Sequence, residues 1–464
     1  MNICVIGGAG YVGLITGLGM AELGCQVVNV DVDQERIGML RKGESPFHEE
    51  GIEPFLQRNL ATGRLRFSDD LLEAVASSEV VFIAVGSPPR NDGQADVTQV
   101  VEVAEAMTQC LDSYKLIVLK STVPVGTVEL LQSILHREKT EGQDFDVVAN
   151  PEFLREGKGM YDFFHPDRIV IGACSDKARH IMRELYAPII NRQITPQLNN
   201  EHPGPVSAPG ESESGDDSDA TIPLIETDLA SAMMIKYASN AFLTMRISFI
   251  NEMAGLCERL GADIHEVAEG MGHDPRIGAY YLEAGPGFGG PCLEKDLRAL
   301  IKSAEETGYE PQILRAVLER NEQQLHEVIA KVKQVAKGSL NRKIVAVFGL
   351  AFKGGTNDVR NSLSLRLIEE LEREGAIVHA YDPIAIPEAR CLRPDLKYFE
   401  DPYEAVVHAD AVVFATNWPQ FRELDFERIR DHMASPCIVD GRNMLDQAHL
   451  KSLGIRYVGV GRVG

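Results

Sequence analysis

The feature that most constrains the fold is an internal repeat that relates the two ends of the chain. Residues 1–33, MNICVIGGAGYVGLITGLGMAELGCQVVNVDVD, read as strand, glycine-containing turn, helix, strand and final aspartate, and residues 342–383 follow the same order. The match continues in FSDDLLEAVASSEVVFIAV, residues 67–85, and FEDPYEAVVHADAVVFAT, residues 399–416. Short apolar strands that alternate with helices predict a parallel sheet covered on both faces. We therefore expect an α/β protein with two doubly wound domains.

Between the repeats lie an acidic segment and a long helical pattern. Residues 197–223 are rich in Pro, Gly, Ser and acidic side chains, which is typical of a solvated insertion. The pattern from about residue 226 to 260 is helical and apolar on more than one face, and shorter helices follow to about residue 336. These features predict a first domain over 1–196, the insertion over 197–223, a central helical domain over 224–336 and a second repeat domain over 337–464.

Charge and cysteine content limit the partners and the compartment. The formal net charge of −23 over 464 residues argues against nonspecific binding to nucleic acid or to an anionic membrane. The eight cysteines form no CxxC pair, so there is no zinc or redox signature and no metal is expected. The first strand begins at once, and no run of 18 apolar residues occurs, so we expect a reduced, cytoplasmic protein.

A dinucleotide fingerprint follows the first predicted strand. Gly8, Gly10 and Gly13 stand in the spacing GxGxxG, which suits a tight turn, a close approach to a pyrophosphate and close helix packing. Asp31 ends the next strand, 18 residues beyond Gly13, where an acid binds the adenosine ribose and repels a 2′-phosphate. The first domain is therefore predicted to be Rossmann-like and to bind NAD rather than NADP.

The second repeat carries a different turn. GLAFKGGTNDVR does not fit GxGxxG, which makes a second dinucleotide unlikely to bind there. Lys353 and Arg360 lie in this turn, so a phosphate-bearing ligand and a pair of ordinary surface cations both remain open from the residues alone.

Reactive side chains gather in FGGPCLEKD, residues 288–296. Cys292 stands at the start of a helical pattern, followed by Lys295 and Asp296. A helix N-terminus and a nearby lysine favour the thiolate, which can attack a carbonyl carbon. From this stretch alone, a buried structural cysteine beside an ordinary capped helix stays open as the alternative. Lys236 and Asn240 share one helical face, Glu152 and Glu156 follow another strand end, and Ser121 and Thr122 stand at the carboxyl end of a further strand.

Taken together, the chain resembles the UDP-glucose/GDP-mannose dehydrogenase family along nearly its whole length. The matching motifs are GAGYVG, VGSPP, KSTVPVGT, NPEFLREG, KYASNAFLTMRISFINE, DPRIG, GPGFGGPCLEKD, GLAFKGGTNDVRNS, YDP and DGRN. The resemblance implies a Rossmann-like NAD domain and a Rossmann-like UDP-sugar domain, joined by a long central helix and a helical dimerisation domain. It also implies a homodimer or larger homo-oligomer, and NAD-dependent four-electron oxidation of a nucleotide-sugar C6 alcohol, with UDP-glucose favoured and UDP-glucuronate as product.

The resemblance also implies a role for individual residues. The implied catalytic residues are Cys292, Lys236, Asn240, Asp296, Glu152 and Thr122. The implied cofactor-binding residues are Gly8, Gly10, Tyr11, Val12, Gly13, Asp31, Arg36, Ser87, Pro88, Ser121, Thr122, Glu156, Lys295 and Arg360. The implied substrate-binding residues are Glu152, Phe153, Leu154, Arg155, Lys236, Asn240, Arg276, Gly285, Phe288, Gly289, Lys353 and Arg442, with Arg276 reaching the site of a neighbouring subunit.

Three alternatives stay open. Within the family, the substrate could be GDP-mannose or a UDP-N-acetylhexosamine. A two-electron hydroxyacid or 6-phosphogluconate-type dehydrogenase shares the plan of a Rossmann domain plus helices, but it needs neither Cys292 nor the second repeat. A non-enzymatic NAD-binding regulator would need neither Cys292 nor the polar residues Lys236, Asn240 and Asp296. The chain also departs from the family at Pro291, where serine is usual, and in the pair Leu293-Glu294, where Phe-Pro or Leu-Pro is usual.

Overall fold

The structure, a computed structural model, describes residues 1–49, 51–90, 92–193 and 221–462. These residues divide into two compact units. The first holds residues 1–193, 221–239 and 298–303, and the second holds residues 240–297 and 304–462. The predicted acidic insertion lies outside the described residues except for 221–223, and the domain boundaries predicted from the sequence stay predictions.

The first unit is built on one sheet. Its strands are β1 Asn2–Ile6, β2 Gln26–Val30, β3 Leu65–Ser68, β4 Val80–Ile83, β5 Lys115–Leu119, β6 Phe145–Ala149, β7 Ile169–Ala173 and β8 Leu224–Thr227. Its helices are α1 Tyr11–Glu22, α2 Gln34–Arg41, α3 Ile52–Ala61, α4 Leu71–Ala76, α5 Thr98–Met107, α6 Thr127–Leu135, α7 Gly159–Phe164 and α8 Asp176–Ile190. In the described residues the strand order is β3-β2-β1-β4-β5-β6-β7-β8.

Burial explains why the strands read as continuous apolar runs. Successive side chains of a strand point to opposite faces, and helices cover both faces of this sheet. In β1, Ile3 and Val5 enter one core cluster, while Cys4 and Ile6 enter the cluster on the other face. All neighbouring strands run parallel except β7, which is antiparallel to β6 and differs in this from the parallel sheet that the alternation predicted.

The second unit begins inside a long helix. The helices are α9 Leu229–Leu260, α10 Ile264–Gly272, α11 Leu293–Glu306, α12 Gln312–Val335, α13 Leu363–Arg373, α14 Ile386–Leu392, α15 Pro402–Ala405, α16 Phe426–His432 and α17 Gln447–Ser452, with a 3₁₀ helix at Pro419–Glu423. The strands are β9 Ile344–Phe348, β10 Ile377–Tyr381, β11 Lys397–Tyr398, β12 Ala411–Phe414, β13 Cys437–Asp440 and β14 Arg456–Gly459. Their order in the described residues is β11-β10-β9-β12-β13-β14, and all pairs are parallel.

The two sheets repeat one topology, as the sequence predicted. The order β3-β2-β1-β4-β5-β6 of the first sheet corresponds strand by strand to the order of the second. The turn after the first strand is also the same in both. Gly7 and Gly349 have φ of 80° and 96°, and each donates its N–H to the carbonyl at the end of the next strand, Val30 (2.9 Å) and Tyr381 (2.8 Å).

Helix α9 has clear start and stop signals. Asp228 accepts from the Ser231 backbone N–H (2.8 Å) and hydroxyl (2.7 Å), which caps the first turn. The helix ends at Gly261, whose φ of 78° suits a glycine C-cap and whose N–H donates to Cys257 O at 2.9 Å. Its 32 residues correspond to a length of about 48 Å. Among the described helices, none combines the length and the apolar character that a membrane crossing requires.

Candidate active site

The turn between β1 and α1 has the geometry of a phosphate-binding loop. A Cβ at Gly8 would lie 2.5 Å from the Asn29 Cβ, and one at Gly13 would lie 2.1 Å from Gly7 O, so packing excludes side chains at both positions. A Cβ at Gly10 would meet Gly7 O at 3.2 Å, which leaves its other side open. The first N–H groups of α1, including those of Tyr11 and Val12, have no acceptor within the helix. These features fit the pyrophosphate of a dinucleotide.

Asp31 follows β2 and is tied to the same loop. Its Oδ2 accepts from Ala9 N (2.9 Å), and its Oδ1 accepts from Val32 N (2.8 Å) and Asp33 N (3.1 Å). The carboxylate is only partly buried, so it keeps accessible acceptor capacity for a ribose hydroxyl. The loop and the acid therefore fit the cofactor that the sequence predicted.

The equivalent acid of the second unit is used differently. Asp382 follows β10 and is 2% exposed. Its carboxylate accepts from Leu350 N, Ala351 N, Ile384 N, Ala385 N and Trp418 Nε1, at 2.7 to 3.3 Å. A carboxylate enclosed in this way has no face for a ribose, in agreement with the prediction that the second repeat binds no second dinucleotide.

Tyr11 joins the dinucleotide loop to the segment after β6. Its hydroxyl donates to Glu49 and accepts from Gly159 N at 3.0 Å. Glu49 also accepts from Met160 N at 2.8 Å. Burial and the adjacent Glu49 carboxylate raise the pKa of the Tyr11 phenol. The Glu156 carboxylate acts on the same phenol, which places this predicted cofactor residue beside the loop.

A buried ion pair occupies the carboxyl end of β6. Lys236 Nζ lies 3.1 Å from Glu152 Oε1, and both side chains are less than a tenth exposed. Glu152 Oε2 accepts from Leu154 N at 2.5 Å. The Lys236 ammonium also lies 5.4 Å from the centre of the Phe153 ring. The structure thus groups these four predicted substrate or catalytic residues within the first unit.

Glu152 and Glu156 follow the end of β6, as the sequence predicted. Both lie in an irregular segment between β6 and α7, and they turn to different partners. Arg155, between them, is held away from Glu152 by a bidentate pair with Asp162, with Nε to Oδ2 at 3.0 Å and Nη2 to Oδ1 at 2.6 Å.

Other predicted cofactor residues lie at the carboxyl ends of β4 and β5. Ser87 Oγ donates to Thr122 O at 2.7 Å, and Ser121 Oγ donates to Val85 O at 2.7 Å. Pro88 is exposed beside Ser87. Arg36 lies on α2. Its Cζ is 5.3 Å from the centre of the Phe47 ring, and its Nε is 3.4 Å from Asp33 Oδ2.

Cys292 lies at the start of α11, as the sequence predicted. It occupies the N-cap of the helix, and its carbonyl accepts from Asp296 N at 2.9 Å. The residue is exposed, so the thiol is accessible. A thiol at a helix start meets the positive end of the helix dipole, which favours the thiolate.

A buried polar network stands one turn along from Cys292. Asp296 is 1% exposed, and its Oδ2 accepts from Asn240 Nδ2 at 2.6 Å. Lys295 Nζ lies 2.7 Å from Asp296 Oδ1. The carboxylate is therefore held by one amide and one ammonium, which fixes its orientation.

The glycine-rich run before Cys292 packs against the second sheet's loops. A Cβ at Gly285 would lie 3.7 Å from Arg442 Cδ, and one at Gly289 would lie 2.6 Å from Asn361 O. Phe288 is buried. Its backbone N–H donates to Asn321 Oδ1 at 2.8 Å, and its carbonyl accepts from Asn321 Nδ2 at 2.9 Å. These predicted substrate residues therefore lie together within the second unit.

Arg442 and Lys353 supply positive charge next to this run. Arg442 Nε donates to Ala415 O at 2.9 Å, and burial lowers the pKa of its guanidinium to about 10, with Asp440 and Glu283 acting in the opposite direction. Lys353 lies beside Phe352, whose ring packs against Gly290. A buried cation next to a closely packed glycine-rich backbone is suited to binding a diphosphate group.

Two predicted arginines point elsewhere. Arg360 is 62% exposed and forms a bidentate pair with Asp358, with Nε to Oδ1 at 3.0 Å and Nη2 to Oδ2 at 2.5 Å. Arg276 is 88% exposed and pairs with Asp274 of its own turn. The predicted contact of Arg276 with the site of a neighbouring subunit stays a prediction.

Sequence reasoning missed Lys120. This residue follows β5 directly and is 6% exposed, and its ammonium interacts electrostatically with Glu152 and Lys236. The available signal was a lysine placed between the apolar run of residues 116–119 and the Ser121-Thr122 pair, where a solvated side chain is not expected.

Three domain models of one protein family match successive parts of the chain. Residues 1–190 match the NAD binding domain of the UDP-glucose/GDP-mannose dehydrogenase family, residues 230–323 match its central domain and residues 346–447 match its UDP binding domain. The chain belongs to this family. The predicted family, the α/β fold class, the dehydrogenase activity and NAD as the cofactor are thereby confirmed.

Curated relatives match the chain from end to end. A UDP-glucose 6-dehydrogenase of Pseudomonas aeruginosa is 44% identical over 473 residues, with 100% of this chain and 98% of the relative covered. A UDP-glucose 6-dehydrogenase of Bacillus subtilis is 41% identical over 462 residues, with 99% of this chain and 93% of the relative covered.

Solved structures show the same architecture. A UDP-glucose dehydrogenase from Pyrobaculum islandicum superposes with a TM-score of 0.86 at 37% identity, covering 99% of this chain and 98% of its own. A UDP-D-ManNAc dehydrogenase from Pyrococcus horikoshii superposes with a TM-score of 0.82 at 27% identity, covering 100% and 99%.

Proposed function

We propose that the protein oxidises the C6 alcohol of UDP-glucose to the carboxylate of UDP-glucuronate, with a covalent intermediate on Cys292. Relatives named UDP-glucose 6-dehydrogenase, at about 40% identity over the full chain, support this substrate. The observation that carries the mechanism is the accessible Cys292 thiol at the start of α11, followed by the buried Asp296 network. A two-electron alcohol oxidation needs no such thiol.

We infer a separate ligand for each unit. In the first unit, the β1–α1 turn and Asp31 would hold NAD⁺, which accepts a hydride from the substrate carbon in each of the two oxidations. In the second unit, Arg442 and Lys353 would bind the diphosphate, and the run from Gly285 to Gly289 would line the nucleotide sugar.

The first oxidation requires a base for the C6 hydroxyl proton. Asp296, held by Asn240 and Lys295, is one candidate, and Glu152 acting through a water is the other. Loss of this proton and of a hydride from C6 leaves an aldehyde.

Cys292 then retains the aldehyde. Its thiolate adds to the carbonyl carbon to form a C–S bond, and the carbonyl oxygen becomes an oxyanion. We assign the stabilisation of this oxyanion to Lys236 and Asn240, which are one turn apart on α9. Loss of the second hydride converts the thiohemiacetal to a thioester. Water then attacks the thioester carbon, the C–S bond breaks, and the thiolate and the carboxylate product are released.

A UDP-N-acetylhexosamine remains the second candidate substrate. The TM-score of 0.82 with a UDP-D-ManNAc dehydrogenase supports it, since the fold accommodates that sugar in a relative. We also propose that the protein is at least a homodimer, and its cytoplasmic location stays a prediction that cell fractionation would test.

The Cys292→Ser variant tests the covalent step. Serine is a far weaker nucleophile than a thiolate, so we expect turnover of UDP-glucose to fall on the order of 10³-fold or more. Mass spectrometry of acid-quenched wild type should find a sugar-nucleotide adduct on the Cys292 peptide, and this adduct should be absent in the variant. Cys391→Ser, which removes another exposed thiol of the second unit, is the matched control and should keep the adduct. Near-normal UDP-glucuronate production by Cys292→Ser would refute the mechanism.

A further inference from the structure

Lys120 is a buried ammonium held in a fixed place. Its Nζ donates to Asn150 Oδ1 at 3.2 Å and to Asn150 O at 3.4 Å. Asn150 is fixed in turn, because its Oδ1 accepts from Tyr186 OH at 2.7 Å and its Nδ2 donates to Val170 O at 2.8 Å. Lys120, Asn150 and Tyr186 are all less than a tenth exposed. These hydrogen bonds fix the position of the Lys120 ammonium within the fold.

The ammonium belongs to a buried group of three charges. Burial lowers the pKa of Lys120, the Glu152 carboxylate opposes this effect and the like charge of Lys236 adds to it, so that the resulting pKa is about 8. Lys120 is therefore mostly protonated at neutral pH and fully protonated below it. Two cations then act on one carboxylate, and all three residues are less than a tenth exposed.

The carboxylate of this group responds to both cations. Burial alone would raise the pKa of Glu152, but the Lys236 ammonium, the Leu154 N–H and the Lys120 ammonium together lower it. Lys236 is the direct ion-pair partner of Glu152, at 3.1 Å. Lys120 is the second cation that acts on the same carboxylate.

We propose that Lys120 is a positioning residue for the reaction: its buried ammonium, anchored by Asn150, supplies a second positive charge to the Glu152 carboxylate. This inference rests on the proposed function, in which Glu152 is one of the two candidate proton acceptors. Lys120 acts through Glu152 and need not touch the substrate. Without it, Glu152 would keep the full desolvation penalty but lose one of its two cations.

A second buried lysine, at the opposite end of β5, provides a contrast. Lys115 begins β5, is 3% exposed and donates to Ala76 O (2.7 Å) and Ser78 O (2.5 Å). It tethers backbone carbonyls at the opposite end of the strand from Glu152. Lys115 therefore shares burial and chemistry with Lys120 but not its carboxylate.

The test is the pH profile of kcat, measured as NADH formation from UDP-glucose. In Lys120→Met the acid limb should move to higher pH by about one unit, the lower end of what one nearby charge does to a carboxyl group. Lys120→Arg keeps the charge and should keep the acid limb of the wild type. Lys115→Met should reduce thermal stability and leave the acid limb where it is. A Lys120→Met profile that is lower at every pH but has an unshifted acid limb would overturn the proposal.

Thermal unfolding provides a readout that does not need turnover. A carboxyl group with a lowered pKa stabilises the folded state above its unfolded-state pKa, and this stability is lost as the pH falls through the folded-state value. In Lys120→Met the folded-state pKa of Glu152 should lie closer to its unfolded-state value, so the loss should be smaller and should be complete at a higher pH than in the wild type. Replacing Glu152 by Gln as well should remove the difference. A difference that persists in the Glu152→Gln background would overturn the proposal.

The two proposals fail separately. A wild type that forms no NADH from UDP-glucose would refute the proposed substrate and leave the unfolding comparison intact. An active wild type with no shift in Lys120→Met would refute the role of Lys120 alone.

Discussion

Two aspartates at equivalent places in the repeat carry out different tasks. Asp31 and Asp382 both follow the second strand of a unit, and both accept a hydrogen bond from the turn after the first strand. Asp31 remains partly exposed, whereas Asp382 is closed in by backbone donors and by Trp418. The same residue type therefore keeps accessible acceptor capacity in one unit and only fixes a turn in the other.

Replacing Asp31 by Asn should weaken the preference for NAD⁺ over NADP⁺. The change removes the charge that repels a 2′-phosphate and weakens the acceptor for the ribose hydroxyl. We expect the ratio of kcat/KM for the two cofactors to fall about tenfold or more, equivalent to about 1.4 kcal/mol. Steady-state kinetics with both cofactors measures this ratio.

Asp382→Asn is the matched control for this prediction. It should leave the cofactor ratio unchanged but lower the free energy of unfolding by about 1–3 kcal/mol, because an amide nitrogen would face buried N–H donors. An unchanged cofactor ratio in Asp31→Asn would show that Asp31 does not contact the ribose.

The sequence predicts candidate site residues where one motif combines several chemical signals. The fingerprint and Asp31, or Cys292 with Lys295 and Asp296, each combine a spacing with a helix or strand boundary. Lys120 has no such spacing, because its partners Asn150 and Glu152 reach it only through the pairing of β5 with β6. Its role depends on tertiary structure, which a linear pattern does not contain.

At the scale of elements, α9 carries an apolar stripe on its exposed surface. Phe242, Phe249 and Leu256 are 53%, 45% and 43% exposed and follow one another at seven-residue intervals, close to two helical turns. Large exposed apolar side chains on one face are typical of a protein–protein contact. This stripe supports the proposed homodimer.

Replacing Phe249 by Glu should therefore weaken self-association. A charge buried in an apolar contact has no partner, so we expect the dissociation constant to rise about a hundredfold or more. Sedimentation velocity over a range of concentrations measures it. Ile313→Glu, at a 66% exposed position on α12, is the control and should sediment as the wild type does. An active wild type that sediments as a monomer would contradict the assembly.

The elements themselves followed from the sequence with one notable difference. Helix α9 was predicted from about 226 to 260 and spans Leu229–Leu260. The antiparallel direction of β7 was not predicted, because strand direction depends on where the preceding connection returns to the sheet and not on side-chain alternation.

At the scale of the whole molecule, duplication of one fold separates two binding tasks. The first unit keeps the glycine fingerprint and an accessible acid for NAD, while the second has lost both and carries cations and a glycine-rich run. The repeat was visible in the sequence because both copies keep the strand, turn and helix order that their buried sheets require.

The number of NADH molecules formed per UDP-glucose tests the account most directly. An alcohol that becomes a carboxylate through a Cys292 thioester loses two hydrides, so complete conversion of a limiting amount of UDP-glucose with excess NAD⁺ should yield two NADH and one UDP-glucuronate. Absorbance of NADH and chromatography of the product measure both quantities in one sample. A ratio of one, with an aldehyde or ketone as the final product, would contradict the account.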